Sequence, residues 1–315
     1  MHRPCGHSQQ FKVRDFANLL CRPAELTVDR YPSRPVKNPA VLRIVLPVIG
    51  SAGYWSLRPK IHTRTAKLKN LLALAILLLL VFTQTAKASS AQMERDEILS
   101  LLAMTIVGKN WQPEVNGHGH NIGSILVDES NEPVFWARNS IKKRDDATQH
   151  GEVRLMQGFL QCPGIGKYAK GYSVYTTLEP CAMCSGMLAM TQVDRVIYIQ
   201  RDPAYGGIGA ILNNSKYPRT YEEYTPNKLA QKIELEREFE VFRKKNKSIT
   251  DFLLTDEAHR IFISAGSALS EYQTLFPENA HLLDSARAYL SKVSEEQYDE
   301  QAMANCQIAN NLQKN

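Results

Sequence analysis

Two short segments of the chain carry the residue types with which proteins bind zinc. The first, Thr-Gln-His-Gly-Glu, places His150 two positions before Glu152. The second, Thr-Leu-Glu-Pro-Cys-Ala-Met-Cys, ends in the spaced pair Cys181 and Cys184. A catalytic zinc ion takes about three protein ligands in a tetrahedral arrangement and leaves the fourth position for water. One histidine and two cysteines brought together by folding would supply that ligand set.

Glu152 adds a group that can move protons beside the predicted metal. A carboxylate in this place can take a proton from an activated water and deliver it to a leaving amine. The ordered pattern His-x-Glu followed by Pro-Cys-x-x-Cys is the signature of zinc enzymes in which water attacks an amidine-like ring carbon. The sequence therefore predicts hydrolytic removal of an amino group from a cyclic amidine.

Each motif taken alone fits a simpler interpretation. His150 alone is compatible with a surface or helix-capping histidine, and Glu152 alone with an acid that a helix N-terminus stabilises. A lone Cys-x-x-Cys pair also serves redox and structural roles. The redox role makes no use of His150 or Glu152, so the two motifs in this order favour a single zinc site.

Hydrophobic periodicity and turn signals predict the secondary structure that must position these residues. Helical stripes and β-branched segments follow in the order α-β-β-α-β-α-β, which predicts a layered α/β domain. Pro180 is expected as an early helical residue, because its missing N–H is not needed there. The predicted helices cover residues 93–109, 149–160 and 180–190, and the predicted strands cover residues 122–128, 134–137, 172–177 and 195–200.

The C-terminal third has a different composition and is predicted to be helical. Residues 221–247 are rich in Glu, Lys and Arg and carry apolar residues at helical spacing. Two further helices are predicted near residues 250–263 and 279–291, separated by a Gly/Ser link and Phe276-Pro277. The aromatic and leucine side chains of this part suit either a lid over the site or an oligomer surface.

The second motif and its surroundings resemble the cytidine deaminase-like superfamily. Residues 177–188 are most similar to the branch that contains tRNA-specific adenosine deaminases and guanine deaminases. The likeness covers roughly residues 94–214 and includes Ile-Gly-Ser-Ile-Leu-Val at 122–127, Asp-Ala-Thr-Gln-His-Gly-Glu at 146–152 and Val-Ile-Tyr-Ile-Gln-Arg-Asp at 196–202. It implies a three-layer α/β/α fold around a central mixed sheet.

The resemblance also implies roles for individual residues. Zinc would be bound by His150, Cys181 and Cys184, and Glu152 would be the catalytic proton shuttle. The side-chain amide of Asn139 would contact the base of the substrate. The backbone N–H of Cys181 would stabilise charge that develops at the reacting centre.

Two further residues near these motifs bear on the site. Gly151 stands where the family usually has alanine, which loosens the start of the helix and leaves metal ligation unchanged. Tyr205, in Pro-Ala-Tyr-Gly-Gly, is a candidate wall of the substrate pocket. A plain loop aromatic is an equally good interpretation of Tyr205.

The formal net charge of +6 is unevenly distributed along the chain. Residues 1–70 hold 13 Lys/Arg and 3 Asp/Glu, a balance of +10, so the remaining 245 residues sum to −4. Affinity for nucleic acid depends largely on Lys and Arg displacing counterions from phosphates. The charge of the predicted domain therefore argues against a nucleic-acid partner and favours a small-molecule base or nucleoside as substrate.

The twelve apolar residues at 71–82 have the length of the apolar centre of a secretory signal, about 7–15 residues, and fall short of the ~20 needed to span a membrane. Basic residues precede them, and an Ala-Lys-Ala sequence ends at Ala88. We expect a signal peptide over 60–88 that touches the membrane transiently, with export to the periplasm or medium. The alternative is an uncleaved membrane anchor. Residues 1–59 are interpreted as an unstructured leader, either unusually long or created by a mis-set translation start.

An exported protein works in an oxidising environment, in which cysteines can pair. Apart from the predicted zinc ligands, the mature chain retains Cys162 and Cys306. These two residues either form a disulfide that ties the C-terminal tail to the core or remain independent thiols. The sequence leaves both interpretations open.

Together these features predict a zinc-dependent hydrolase that deaminates a nucleobase, a nucleoside or a related amino-heterocycle and releases ammonia. One alternative is a tRNA-specific adenosine deaminase, and another is a non-catalytic binding protein with a structural zinc. A homodimer is compatible with the sequence. The predicted organisation is a leader at 1–59, a signal peptide at 60–88, a zinc deaminase domain at 89–214 and a helical extension at 215–315.

Overall fold

A five-stranded mixed sheet organises the part of the chain that the computed structural model describes, which is residues 74–75, 89–114, 117–212, 222–226, 228–245, 248–293 and 306. The strand order is β2-β1-β3-β4-β5. β1 is antiparallel to β2 and β3, whereas β3, β4 and β5 run parallel to one another. The strands are β1 (Gly123–Val127), β2 (Pro133–Arg138), β3 (Ser173–Leu178), β4 (Arg195–Gln200) and β5 (Glu222–Tyr224).

Helices cover both faces of this sheet and produce three layers. On one face, α1 (residues 89–109) packs with the C-terminal helices in a core that includes Ile125 of β1. On the other face, α2 (Gly151–Leu160) and α3 (Ala182–Met190) pack in a second core that includes Leu126. Neighbouring residues of a strand point to opposite faces, so β1 contributes to both cores. The predicted three-layer α/β/α fold with a central mixed sheet is confirmed.

The predicted helical C-terminal extension is also confirmed, and it is packed against the domain. Its helices bury Leu235, Phe252 and Phe262 in the same core as α1. Trp111, just after α1, stacks on His259 with ring centroids 4.8 Å apart. The extension therefore completes the layer on the α1 side of the sheet. The helices that follow β4 are α4 (Ile208–Leu212), α5 (Ala230–Arg243), α6 (Ile249–Phe252), α7 (Asp256–Glu271) and α8 (Ala280–Lys292).

The boundaries predicted inside the extension are partly wrong. The predicted helix near 250–263 is interrupted, because the Thr255 hydroxyl accepts the N–H of Ala258 at 3.2 Å and caps a new helix, α7. The predicted Gly/Ser link lies within α7, and Gly266 faces α1 there. A Cβ on Gly266 would lie 3.2 Å from the methyl group of Thr105, so glycine permits the close approach of the two helices.

A short strand was missed in the charged segment 221–247, which was predicted to be helical. β5 occupies three residues of that segment and pairs in parallel with β4, and α5 begins only at Ala230. Three residues are too few for a period of two to stand out among charged neighbours. Pairing with the exposed edge of β4 determines this strand, and local sequence does not encode that pairing.

Cys162 and Cys306 form a disulfide, which resolves the two interpretations that the sequence leaves open. Both residues are buried in the core beneath α2 and α3. The bond joins the end of α2 to the C-terminal tail across a sequence separation of 144 residues. Closing so long a loop restricts the unfolded chain, which is the main way in which a disulfide stabilises a fold.

Replacing Cys306 with serine is expected to lower the free energy of unfolding by about 2–4 kcal/mol under oxidising conditions. Urea unfolding of the variant and of the wild-type chain measures the difference. In excess reductant the two proteins should converge, because the wild type then also lacks the bond. Equal stability under both conditions would contradict a structural role for this disulfide.

The predictions for the N-terminal part fall largely outside the described residues. The leader at 1–59 lies outside them, as does the signal segment at 60–88 apart from residues 74–75. Among the residues that are described, no helix combines the length and the apolar character needed to cross a membrane.

Candidate active site

The predicted zinc ligands lie at the starts of two helices on one face of the sheet. His150 directly precedes α2 and Cys181 directly precedes α3, both with extended backbone. Cys184 follows in the first turn of α3. The N-terminus of a helix carries a partial positive charge, which favours thiolates and lowers the pKa of cysteines there. The expectation that Pro180 is helical is wrong, because α3 begins at Ala182.

The three side chains form a triangle of the size that zinc requires. His150 Nδ1 lies 3.7 Å from Cys181 Sγ and 3.6 Å from Cys184 Sγ, and the two sulfurs are 3.6 Å apart. Zn–S bonds of about 2.3 Å and Zn–N bonds of about 2.0–2.1 Å at tetrahedral angles place such donors about 3.5–3.8 Å apart. His150, Cys181 and Cys184 therefore fit a zinc ion and would leave its fourth position open.

Glu152 is buried beside this triangle and is held in place through one of its oxygens. The Thr176 hydroxyl donates to Glu152 Oε1 at 2.9 Å, and the Ser124 hydroxyl lies 3.0 Å from that of Thr176. The other oxygen, Oε2, lies 3.3 Å from Cys184 Sγ. Residues of β1 and β3 thus orient the carboxyl group with its second oxygen towards the metal ligands.

Burial and mutual contacts shift the ionisation of the site. Burial raises the pKa of Glu152. Donation by the Cys184 thiol lowers the pKa of Cys181 to about 3, and the same contact raises the pKa of Cys184. The bond to Cys181 raises the pKa of His150. The one proton that the two cysteines share would be released to solvent when zinc binds, since thiolates are the species that ligate zinc.

A cavity of about 300 Å³ opens onto these groups. This volume is at the lower end of the range of small-molecule sites, about 300–1,000 Å³. Its walls combine apolar side chains with polar groups from both motifs and from the loops around them. The lining residues include His120, Ile122, Asn139, His150, Glu152, Glu179, Cys181, Asp202, Tyr205 and Thr250.

Asn139 lines the cavity and is fixed by the loop that precedes β1. Its Oδ1 accepts the backbone N–H groups of His120 and Ile141 at 3.2 and 3.3 Å. The oxygen is therefore engaged within the protein, and the amide nitrogen is the group left for a substrate. The contact between Asn139 and the substrate base remains a prediction, in which the side-chain amide nitrogen donates a hydrogen bond to the base.

Tyr205 lies at the rim of the same cavity with 70% of its surface exposed. Its loop is anchored by Glu179, whose carboxylate accepts the N–H groups of Asp202 and Gly207 at 3.0 and 2.7 Å. A Cβ on Gly206 would lie 2.3 Å from Glu179 Oε2, so this position requires glycine. The glutamate of Thr-Leu-Glu-Pro-Cys therefore builds the rim, a role that the spacing of the motif did not reveal. Tyr205 as a pocket wall stays a prediction.

His120 and Thr250 are among the cavity residues that were not identified from the sequence. His120 precedes β1, and its Nδ1 has no hydrogen-bond partner in the described part of the chain. The histidine-rich Gly-His-Gly-His before the first strand was the available signal. Thr250 comes from α6 in the extension, some 66 residues beyond the second motif. Only the folded chain brings it to the site.

Comparison with known proteins assigns the family. The family model described as the cytidine and deoxycytidylate deaminase zinc-binding region matches residues 93–200. A tRNA-specific adenosine deaminase from Aquifex aeolicus is 34% identical over 133 residues, which are 41% of this chain and 83% of that protein. The chain belongs to the cytidine deaminase-like family of zinc deaminases. The resemblance stated from the motifs, the zinc cofactor and a hydrolytic deaminase activity are thereby confirmed.

Other relatives of this deaminase share a similar part of the chain. A tRNA-specific adenosine deaminase 2 from Xenopus laevis is 31% identical over 109 residues, which are 33% of this chain and 62% of that protein. A solved guanine deaminase from Nitrosomonas europaea is 14% identical, covers 48% of this chain and 74% of its own, and superposes with a TM-score of 0.28. The family model ends at residue 200, so α5 to α8 lie beyond it.

Proposed function

We propose that this deaminase removes the exocyclic amino group of a small nucleobase or nucleoside and releases ammonia. The observation that carries the proposal is the placement of Glu152, His150 and Cys181 in the wall of one cavity of about 300 Å³, with the third predicted zinc ligand, Cys184, within 4.8 Å of the other two. A cavity of this size suits a single heterocycle with a modest substituent.

The residues of the site divide the reaction between them. His150, Cys181 and Cys184 would hold the zinc ion, which when bound would supply the Lewis acidity that makes water nucleophilic at neutral pH. Glu152, anchored through Oε1, uses Oε2 to take a proton from the attacking water and to deliver it to the departing amine. The amide nitrogen of Asn139 donates to an acceptor of the ring and orients the reacting carbon.

The charge of the chain supports a small substrate. The residues after position 70 sum to −4, so the catalytic domain and its extension carry no excess of cations to attract polyphosphate. The Cys162–Cys306 disulfide supports the further proposal of an exported enzyme, because disulfides persist mainly in oxidising compartments. Anticodons are not found in those compartments.

A tRNA substrate is the second candidate, and the names of the relatives favour it. The Aquifex and Xenopus proteins are named tRNA-specific adenosine deaminases. The family model that matches residues 93–200 contains both zinc motifs. A shared catalytic centre is compatible with either substrate, since both present an amino-substituted ring carbon to the attacking water.

Ammonia release by the purified full chain separates these candidates. We expect turnover of at least one member of a panel of adenine, guanine, cytosine and their nucleosides. An anticodon stem-loop RNA with a wobble adenosine, assayed for inosine, is the comparison substrate. Conversion of the RNA with no turnover of the small compounds would overturn the proposal in favour of tRNA.

A further inference from the structure

A second cavity, called the lobe, adjoins the catalytic cavity and is lined in part by the C-terminal extension. The lobe has a volume of about 260 Å³ and shares Asp202, Tyr205 and Thr250 with the catalytic cavity, so these residues form the neck between the two. Beyond the neck the lobe is lined by Pro203 and Ala204 of the loop after β4, by Phe239 and Arg243 of α5, and by Ser248 and Ile249. The lobe is therefore built largely outside the part of the chain that matches the family model, which ends at residue 200.

Buried contacts fix the extension in this place. The fully buried Asn121 donates to the backbone carbonyl of Leu253 at 2.9 Å, one turn after Thr250. Asn121 also accepts from Arg138 of β2 at 2.9 Å, and it directly precedes the cavity residue Ile122. The bond from Asn121 to Leu253 ties the position of α6 to the strands that carry the catalytic site and places Thr250 in the cavity wall.

The chemistry of the lobe suits a neutral, hydroxyl-bearing group. Phe239 and Ile249 supply apolar walls, while the hydroxyls of Ser248 and Thr250 lie 2.9 Å from each other at its edge. Apolar surfaces with a few placed hydroxyls are the usual lining of sites for small polar molecules. A compact ring with several hydroxyls could pack against the apolar side chains of the lobe and form hydrogen bonds with its hydroxyl groups.

The charges beyond the lobe disfavour a phosphate. A further cavity of about 700 Å³ shares Asp202, Phe239 and Arg243 with the lobe. It is lined by four carboxylates against two guanidinium groups, and Arg243 already pairs with Glu240 at 2.9 Å. A phosphorylated substituent entering the lobe would meet net negative charge, which raises its electrostatic energy.

We propose that the substrate is a nucleoside whose base lies at Glu152 and whose sugar occupies the lobe lined in part by the C-terminal extension. This inference rests on the proposed deamination of small substrates and assigns those substrates to the nucleosides. Thr250, at the neck, is the residue that separates the base from the sugar. The extension then acts as the part of the protein that selects nucleosides over free bases.

The test compares kcat/KM for a nucleoside and for its free base in the full-length chain. The wild type should favour the nucleoside. Thr250→Phe narrows the neck and should lower the nucleoside-to-base ratio of kcat/KM by about tenfold or more, since steric exclusion from a pocket discriminates by about that factor. Thr250→Val keeps the volume, removes the hydroxyl and should lower the ratio by roughly twofold to tenfold, the worth of one hydrogen bond.

The matched control is Ser270→Phe, which adds the same ring on the exposed side of α7 and should leave both substrates unaffected. Thermal melting identifies any variant that fails to fold. If Thr250→Phe does not fold, the ratio measured for the isosteric Thr250→Val tests the proposal. A ratio that both Thr250 variants leave unchanged overturns the sugar lobe while the deaminase assignment stands. A requirement for a 5′-phosphate overturns the neutral-sugar assignment. Absence of turnover on every base and nucleoside overturns the proposed function itself.

Discussion

Replacing Glu152 with glutamine is expected to lower kcat by about 10²–10⁴-fold while zinc stays bound. Glutamine keeps the shape of the side chain and an oxygen that can accept from Thr176. It cannot carry a proton between water and the leaving amine, and general acid–base groups contribute about that factor to catalysis. Steady-state ammonia release and zinc content measured on the same preparation give the two readouts.

Glu271→Gln is the matched control for this experiment, because Glu271 is exposed at the end of α7. It makes the same chemical change far from the cavity and should retain wild-type turnover. If Glu152→Gln retained full activity, the carboxyl group would not be the proton shuttle. If it lost zinc, Glu152 would contribute to the metal site instead, and the division of roles proposed for the site would be wrong.

The clustering of His150, Cys181 and Cys184 was predictable because these residues are concentrated in two local motifs. His-x-Glu and Pro-Cys-x-x-Cys each place their groups at the first turn of a helix, and local sequence determines where those helices begin. The β1–β3 pairing then aligns Ser124 opposite Thr176, behind Glu152. The fold class followed from the same periodic segments, since alternating helices and strands allow few layered arrangements.

What the sequence did not reveal depends on contacts between distant segments. β5 forms because an edge of β4 is available for pairing. A strand of three residues within a charged segment is too short to be predicted from the local sequence. α7 continues through its Gly/Ser stretch because Gly266 permits close packing on Thr105. Thr250 reaches the catalytic cavity through the docking of Leu253 on Asn121, which no spacing rule within either segment encodes.

The features that the sequence did not reveal bear on substrate selection more than on the reaction. The sequence motifs specify the reaction, because they contain every group expected to ligate metal or move protons. The lobe that we propose as the sugar site is lined in part by the extension, whose Phe239 and Thr250 face the site only after folding. Substrate selection therefore depends on tertiary structure to a greater degree than the chemistry does.

Replacing Cys184 with serine is expected to remove zinc and activity together. Cys184 is buried and lies 3.6 Å from both other donors, so its loss leaves two ligands where a catalytic zinc needs about three. Zinc content should fall from about one ion per chain to near zero, since metal affinity depends on the full set of deprotonated ligands. Turnover should fall by roughly 10³-fold or more, because Lewis-acid activation of water supplies several kcal/mol.

Cys162→Ser is the control that separates metal binding from folding. It also removes a buried cysteine, but one that pairs with Cys306 and lies outside the zinc triangle. This variant should lose about 2–4 kcal/mol of stability and keep its zinc. Loss of zinc from both variants would mean that metal binding merely reports the integrity of the fold. Retention of zinc by Cys184→Ser would show that the ion is bound elsewhere, and the triangle of His150, Cys181 and Cys184 would not be the catalytic centre.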